Sequence, residues 1–467
     1  RWLRRLGGRV VPFIPHRLNH GYDLGPGGLA AASAAGASLL VTVDCGILAH
    51  DAVTEAKARG MDVIVTDHHT PDDHLPGALA VLNPNRPDCP YPNKGLSGAG
   101  VVFKLCQGLA AARGLDPEEL HPSLDLVGMA TVADLVPLTG ENRALARYGL
   151  RALERTENLG LRALMARARM NPEGITAGTV GYVLAPRLNA VGRLGDPLKG
   201  VQLLLTDDPE EARRLAEEAD ELNSQRQETD RRTLDEALEQ LARGYDPEDD
   251  FGVVLASDSW HPGVVGIVAS RVVERIHRPT VLVSLNGDGG RGSARSIPGF
   301  HLLEGIRSCG KHLVRFGGHR QAAGLELRRE KLEAFREAFN AHAREVLEGT
   351  ELRPTLNLEL EVGLGEMTEE LHRYLKYLGP HGMGNPRAIW VARGLTLSAP
   401  PRVVGADHLK MRLRDGRAQL DAIGFRLARR LPPESLGKGP VDAAFQLEEN
   451  EYRGVRRLQA NLKDLRS

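Results

Sequence analysis

Two apolar runs organise the first third of the chain. The stretches at 38–43 (SLLVTV) and 62–66 (DVIVT) are nearly continuous in hydrophobic residues, which predicts strands covered on both faces. Between them, 50–59 (HDAVTEAKAR) has helical periodicity and stops at Gly60, a natural C-cap. Strand, helix, strand is the rhythm of a parallel sheet. Further strands are predicted at 10–14 (VVPFI) and 79–82 (LAVL), and further helices at 98–112 and 123–132.

A long charged helix is predicted over 208–243, with Asp208 as N-cap and Pro209 at its first position. Its length fits a spacer between domains, or simply a solvated helix. A second α/β region follows, with strands at 251–256 and 280–285, a helix between them at 264–275, and helices at 302–315 and 329–347. After Pro354 short apolar runs alternate with turns, and Asp415-Gly416 marks a hairpin. Several short strands in about a hundred residues predict a small β-barrel of the OB type. The expected domains are residues 1–205, a connecting helix at 206–245, and domains at 246–350 and 351–467.

Composition changes this picture little. At 467 residues the chain exceeds one hydrophobic core, and 42% apolar with 26% charged residues is ordinary for a globular protein. It contains no apolar run of the roughly 18 residues that a membrane span requires, and no signal-peptide pattern. Cys45, Cys89, Cys106 and Cys309 are scattered without a C-x-x-C pair, which argues against a disulfide scaffold or zinc ribbon and fits the reducing cytoplasm. Net charge is -1, yet residues 401–467 hold 14 Lys/Arg against 9 Asp/Glu, pointing that region toward a polyanion.

The candidate chemistry sits where strands end. LLVTVDCG places Asp44 after one strand, and VIVTDHH places Asp67, His68 and His69 after its neighbour. Ligands of open α/β sheets bind beyond the carboxyl ends of strands, so these tips are expected to share a crevice. Asp134, in GMATVADLVPL, follows a helical stretch. Carboxylates and imidazoles without a thiolate cluster suit Mn²⁺ or Mg²⁺ better than structural Zn²⁺. Each residue alone has a plainer reading: Asp44 as a helix cap, either histidine as a hydrogen-bonded core residue. Acid followed by acid-His-His on successive strand edges favours a metal site.

Other stretches fit phosphate. GRGSARS (290–296) sets Arg291, Ser293 and Arg295 in a glycine-rich loop after a strand. FGGHRQAAG (316–324) pairs glycines with His319 and Arg320 at an expected helix start. APRLNAVGR offers Arg187, Asn189 and Arg193, and SWHPGVVGIVASR offers Trp260 and His261. Backbone N–H groups in such loops cradle anions, although glycine also serves tight turns.

Taken in order, VDCG, TDHH, TVADLVPL, PRLNAVGR, WHPGVVGIVASR, GRGSARS and GGHRQAAG resemble the DHH phosphoesterase superfamily along almost the whole chain. The C-terminal GPHGMGNPRAIW and NEYRGVRRLQ are similar to its single-strand DNA exonuclease family. The resemblance implies a parallel-sheet DHH domain, a connecting helix, a DHH-associated α/β domain and an OB barrel. It implies 5′→3′ hydrolysis of single-stranded DNA to mononucleotides in repair and recombination, with two Mn²⁺ or Mg²⁺ ions. It makes Asp44, His68 and Asp134 metal ligands, places His69 at the scissile phosphate, and has Asp67 orient the histidines. Tyr22 would stack on a nucleotide, and Arg187, Asn189, Ser293, Arg295 and His319 would hold phosphates. A helicase and a single-strand-binding protein are the implied partners. The family's first motif, His-x-Asp-x-Asp, is missing, and no Asp-x-Asp occurs in the sequence. We expect a segment ahead of Arg1 to supply it. Two other readings stay open: a DHH-type oligonucleotide or cyclic-dinucleotide phosphodiesterase, and a non-catalytic single-strand DNA-binding scaffold.

Overall fold

The computed structural model describes residues 1–15, 23–436, 439–452 and 454–466. The first sheet has three parallel strands in the order β1 (Leu39–Val43), β2 (Asp62–Thr66), β3 (Ala80–Leu82). Leu39 pairs with Asp62 and Ile64 with Ala80, so β1 and β2 end side by side at Val43 and Thr66. Val53 and Ala56, from helix His50–Ala58, pack with Val63 and Val65 of β2 beneath those tips.

Residues 10–14 do not add the expected strand. Val11, Phe13 and Ile14 are exposed, and Pro12 removes a donor that a strand would need.

Helices Gly98–Ala112, Leu124–Ala133 and Gly140–Glu154 follow. The last two cross with their backbones in contact: a Cβ on Gly128 would lie 2.5 Å from the Cα of Gly149. This crossing fixes the end of helix Leu124–Ala133, where Asp134 stands. Gly128→Val should separate the helices and destabilise the fold by about 1–3 kcal/mol or more. A lowered midpoint in thermal unfolding checks this, and an unchanged one would refute the close crossing.

The long helix runs from Pro209 to Gly244, and the Asp208 carboxylate accepts the Glu210 N–H at 3.0 Å. It is more than a solvated spacer. Leu215, Ala216 and Ala219 near its start belong to the core of the preceding helices. Ala237 and Leu241 near its end belong to a core with Val268 and Leu282 of the following domain.

That domain holds a five-stranded sheet: β4 (Val253–Ser257), β5 (Thr280–Asn286), β6 (Gly289–Arg295), β7 (Leu313–Gly318) and β8 (Ala322–Arg328), in the order β4-β5-β6-β8-β7. Three expectations are corrected here. GRGSARS is mostly the central strand β6 rather than a loop. Its glycines are accommodated by crowding: a Cβ at Gly292 would stand 2.7 Å from Leu325 Cδ1. FGGHRQAAG is the β7–β8 hairpin rather than a helix start. The helix expected over 302–315 is Leu302–Ser308, because β7 takes the later residues into antiparallel pairing with β8.

The C-terminal strands are β9 (Leu360–Glu361), β10 (Trp390–Leu397), β11 (Arg402–Val404), β12 (His408–Asp415), β13 (Ala418–Gly424), β14 (Val441–Tyr452) and β15 (Val455–Arg466). Pairings β10–β12, β12–β13, β13–β15, β15–β14 and β14–β10 close a ring, with β13–β15 parallel. Five strands joined in this way form the expected OB barrel. The Asp415-Gly416 turn sits where predicted, with Asp415 opposite Ala418.

Candidate metal centre

Asp44 directly continues β1. Its N–H donates to the Thr66 carbonyl at 2.9 Å, extending the β1–β2 ladder by one bond. Its φ of 63° then turns the chain off the sheet. The carboxylate lies against the start of helix Gly98–Ala112, where a side chain at Gly98 would collide with it. Ser97 caps that helix, accepting the Gly100 N–H at 3.1 Å.

Asp67 continues β2 and is almost fully buried. Its carboxylate accepts the N–H groups of Ile47 (3.0 Å), His68 (2.7 Å) and His69 (3.2 Å), and meets His69 Nδ1 at 2.7 Å. Burial pushes its pKa up, but these four donors outweigh burial and hold it below the usual carboxylate range. With its oxygens so occupied, Asp67 is a brace. The His-His turn is also held from behind: Asn83 Nδ2 donates to the His69 carbonyl at 2.9 Å and Asn85 Nδ2 to the His68 carbonyl at 2.5 Å. Sequence reasoning missed both asparagines. Their signal was the N-x-N of LNPNR just after β3.

His68 points inward. Its Nε2 lies 3.0 Å from Asp44 Oδ1 and 3.4 Å from Asp134 Oδ2. That nitrogen is buried and, although within ion-pair distance of both carboxylates, makes no hydrogen bond of ordinary geometry, so it is left unsatisfied. Burial pulls His68 toward the neutral form, but the two carboxylates prevail and its pKa is raised. Asp134 follows helix Leu124–Ala133 as its C-cap. Burial, joined by the Asp44 charge, raises its pKa against the pull of His68.

One ligand atom each from Asp44, His68 and His69 falls within 4.8 Å of the others, with Asp134 flanking His68. An unsatisfied buried imidazole nitrogen between two carboxylates fits a divalent cation, since a cation would draw all three donors inward. Cys45 does not belong to this group, and burial pushes its thiol up to about 12.

The second α/β domain carries Ser293 and Arg295 on β6. Arg295 Nη1 donates to Ser293 Oγ at 3.2 Å and to the Ala294 carbonyl at 2.8 Å. Gly266, opening helix Val265–Ile276, leaves room for both side chains. His319 sits in the β7–β8 turn, its N–H bonded to the Ala322 carbonyl at 2.8 Å. Partial desolvation lowers its pKa, joined by the positive charges of Arg295 and His69, so these three share one electrostatic neighbourhood.

Arg187 is differently placed. On helix Ala185–Leu194, its Nε meets Asp220 of the long helix at 2.9 Å and its Nη1 the Val183 carbonyl at 2.7 Å. Asn189 on the same helix is exposed. Arg193 Nη1 bridges to the Gly263 carbonyl at 3.0 Å, linking the two α/β domains. Tyr22 lies outside the described residues.

Acid and acid-His-His at adjacent parallel strand tips, with a second α/β domain and an OB barrel, define a metal-dependent phosphoesterase of the DHH type. Residues 1–131 match the DHH family N-terminal domain, 249–345 the DHHA1 domain and 358–464 the RecJ OB domain. The chain belongs to the RecJ family of exonucleases. It is 40% identical to the single-stranded-DNA-specific exonuclease RecJ of Dickeya dadantii, over 99% of this chain and 83% of that protein. Its fold superimposes on RecJ of Thermus thermophilus in complex with Mn²⁺, with a TM-score of 0.84 and 34% identity, covering all of this chain and 66% of the other. The Mg²⁺ complex of the Thermus protein gives a TM-score of 0.77 at 32% identity. Among the described residues no helix is long and apolar enough to cross a membrane.

Proposed function

We propose that the protein hydrolyses single-stranded DNA from its 5′ end, releasing mononucleotides, with Mn²⁺ or Mg²⁺ as cofactor. The observation that carries this reading is the buried, unsatisfied Nε2 of His68 between Asp44 and Asp134. Those three side chains hold one cation. A bound divalent ion of this kind polarises a phosphoryl oxygen and activates water, and two are expected in the complete protein. His69, held through Nδ1 by Asp67, presents its other edge to the scissile phosphate. Arg187, Asn189, Ser293, Arg295 and His319 hold phosphates of the strand end, and Tyr22 stacks on a nucleotide. The OB barrel extends the single-strand groove. In the cell a helicase and a single-strand-binding protein supply the strand during repair and recombination, in the cytoplasm.

The test is digestion by full-length protein of oligonucleotides labelled at either end, with Mn²⁺ and then with EDTA. Mononucleotide release from the 5′ end, abolished by EDTA, supports the proposal. Cleavage limited to dinucleotides or cyclic dinucleotides would replace it with a small-phosphodiester hydrolase. Tight single-strand binding without cleavage or bound metal would leave a scaffold.

A further inference from the structure

The loop at 379–385, GPHGMGN, follows helix Glu369–Leu378 of the C-terminal domain but lies on the first domain. The Met383 carbonyl accepts the Leu138 N–H at 2.7 Å. A Cβ on Gly382 would stand 2.7 Å from Leu138 Cδ1, and one on Gly384 3.1 Å from Pro137 Cβ. Gly384 also has a φ of +70°, a left-handed conformation that favours glycine. The loop holds its own shape. Gly382 and Asn385 exchange backbone hydrogen bonds at 3.0 and 3.1 Å, and Asn385 Nδ2 reaches the Leu378 and Pro380 carbonyls at 2.9 Å each.

The surface it grips is the segment that carries Asp134. Leu138 stands four residues beyond Asp134. Leu135 adopts a left-handed conformation (φ 57°), and Val136 and Leu138 are buried. Asn142 Nδ2 fixes the Pro137 carbonyl at 3.0 Å. Five residues with buried anchors and one fixed carbonyl have little slack, so a displacement at Leu138 passes back to Asp134.

We propose that this loop positions Asp134: the nucleic-acid-binding domain completes the metal centre by setting, through Pro137 and Leu138, where the Asp134 carboxylate stands. The proposal rests on reading Asp134 as a ligand. It makes Gly382 and Gly384 positioning residues, and it links strand capture by the barrel to the geometry of the reacting centre.

The experiment is Mn²⁺ titration of metal-stripped, full-length protein followed by electron paramagnetic resonance, with thermal melting and single-strand binding measured in EDTA. Gly382→Val is expected to weaken Mn²⁺ binding about tenfold, as loss of groups that orient ligands does. DNA affinity in EDTA stays at the wild-type value, and excess Mn²⁺ restores turnover. Arg143→Ala removes the bond from Arg143 Nη2 to the Tyr377 carbonyl (2.8 Å) but leaves the Leu138 contact, so it should lower the melting point and spare Mn²⁺ affinity. Should Gly382→Val fail to fold, Gly382→Ala, whose methyl meets the Leu138 side chain at Cδ1 and Cγ and no backbone, gives a smaller shift in the same direction. A folded Gly382 variant that melts lower yet binds Mn²⁺ like wild type would reduce the loop to a domain contact and overturn the proposal. Wild-type Mn²⁺ affinity in Asp134→Ala would instead remove the ligand reading itself.

Discussion

Asp44→Asn is expected to abolish nuclease turnover, by about a thousandfold or more, exceeding the roughly 10–100-fold lost when a group that merely orients a ligand is removed. Asn is the informative replacement. Asp44 has a φ of 63°, a region asparagine tolerates and alanine resists, so the backbone off β1 is preserved while the charge is lost. The amide keeps the volume that Gly98 makes room for. What goes is the negative oxygen 3.0 Å from His68 Nε2, leaving Asp134 as the remaining carboxylate beside that nitrogen. Single-strand affinity in EDTA should persist, because Ser293, Arg295, His319 and the barrel lie on other elements. Mononucleotide release in Mn²⁺, with anisotropy of a labelled oligonucleotide in EDTA, measures both. Turnover close to wild type would dismiss Asp44 as a ligand. Equal loss of turnover and affinity would mean that Asp44 supports the fold instead.

The elements that build this centre were legible because their signals are local. The runs at 38–43 and 62–66 are too apolar for anything but strands, and each ends in its acid, so Asp44 and Asp67 could be placed on neighbouring tips from the sequence. The expected cover on both faces holds for most of β2 but not for β1, where Leu39 and Val43 are exposed. The long helix announced itself through Asp208-Pro209 and its charge pattern. Nonlocal pairing hid the rest. GRGSARS reads as a loop by composition, and only the neighbours β5 and β8 make it a strand, by packing Val283 and Leu325 over its glycines. The segment at 313–318 continues a helical pattern until β8 claims it. Residues 10–14 look like a strand by residue type, but the described sheet runs only from β1 to β3.

Side-chain roles were hidden for a related reason. Asp67 and His68 are adjacent in a motif of metal-binding residues, and the sequence does not say which one faces the cavity. The structure separates them by donors. Asp67 receives three backbone N–H groups and an imidazole, whereas His68 Nε2 receives none. Arg187 shows a related case: the residue carried over as a phosphate contact is also held by Asp220 of the long helix, a partner 33 positions away that the sequence does not reveal.

His69→Ala carries the second large effect: a loss of about 10²–10⁴-fold in kcat, the range for a positioned proton-transfer group, with Mn²⁺ affinity nearly unchanged. The separation of the two effects follows from the geometry. His69 lies close enough to Asp44 and His68 to be a third ligand. Yet its Nδ1 is held by Asp67 at 2.7 Å, and its side chain is 59% exposed, against 13% for His68. An imidazole fixed at one nitrogen by a buried carboxylate, with its other edge open to the cleft, is oriented toward substrate. His68, enclosed by Asp44 and Asp134, is oriented toward the cation. His68→Ala should therefore lose Mn²⁺ binding and turnover together, while His69→Ala loses turnover alone. Asp67→Asn, which keeps an acceptor for Nδ1 but removes its charge, should fall between wild type and His69→Ala in kcat. If His69→Ala instead weakens Mn²⁺ binding as much as His68→Ala does, both histidines belong to the cation, and the group beside the scissile phosphate must be sought in the second α/β domain, where His319 feels the charges of His69 and Arg295.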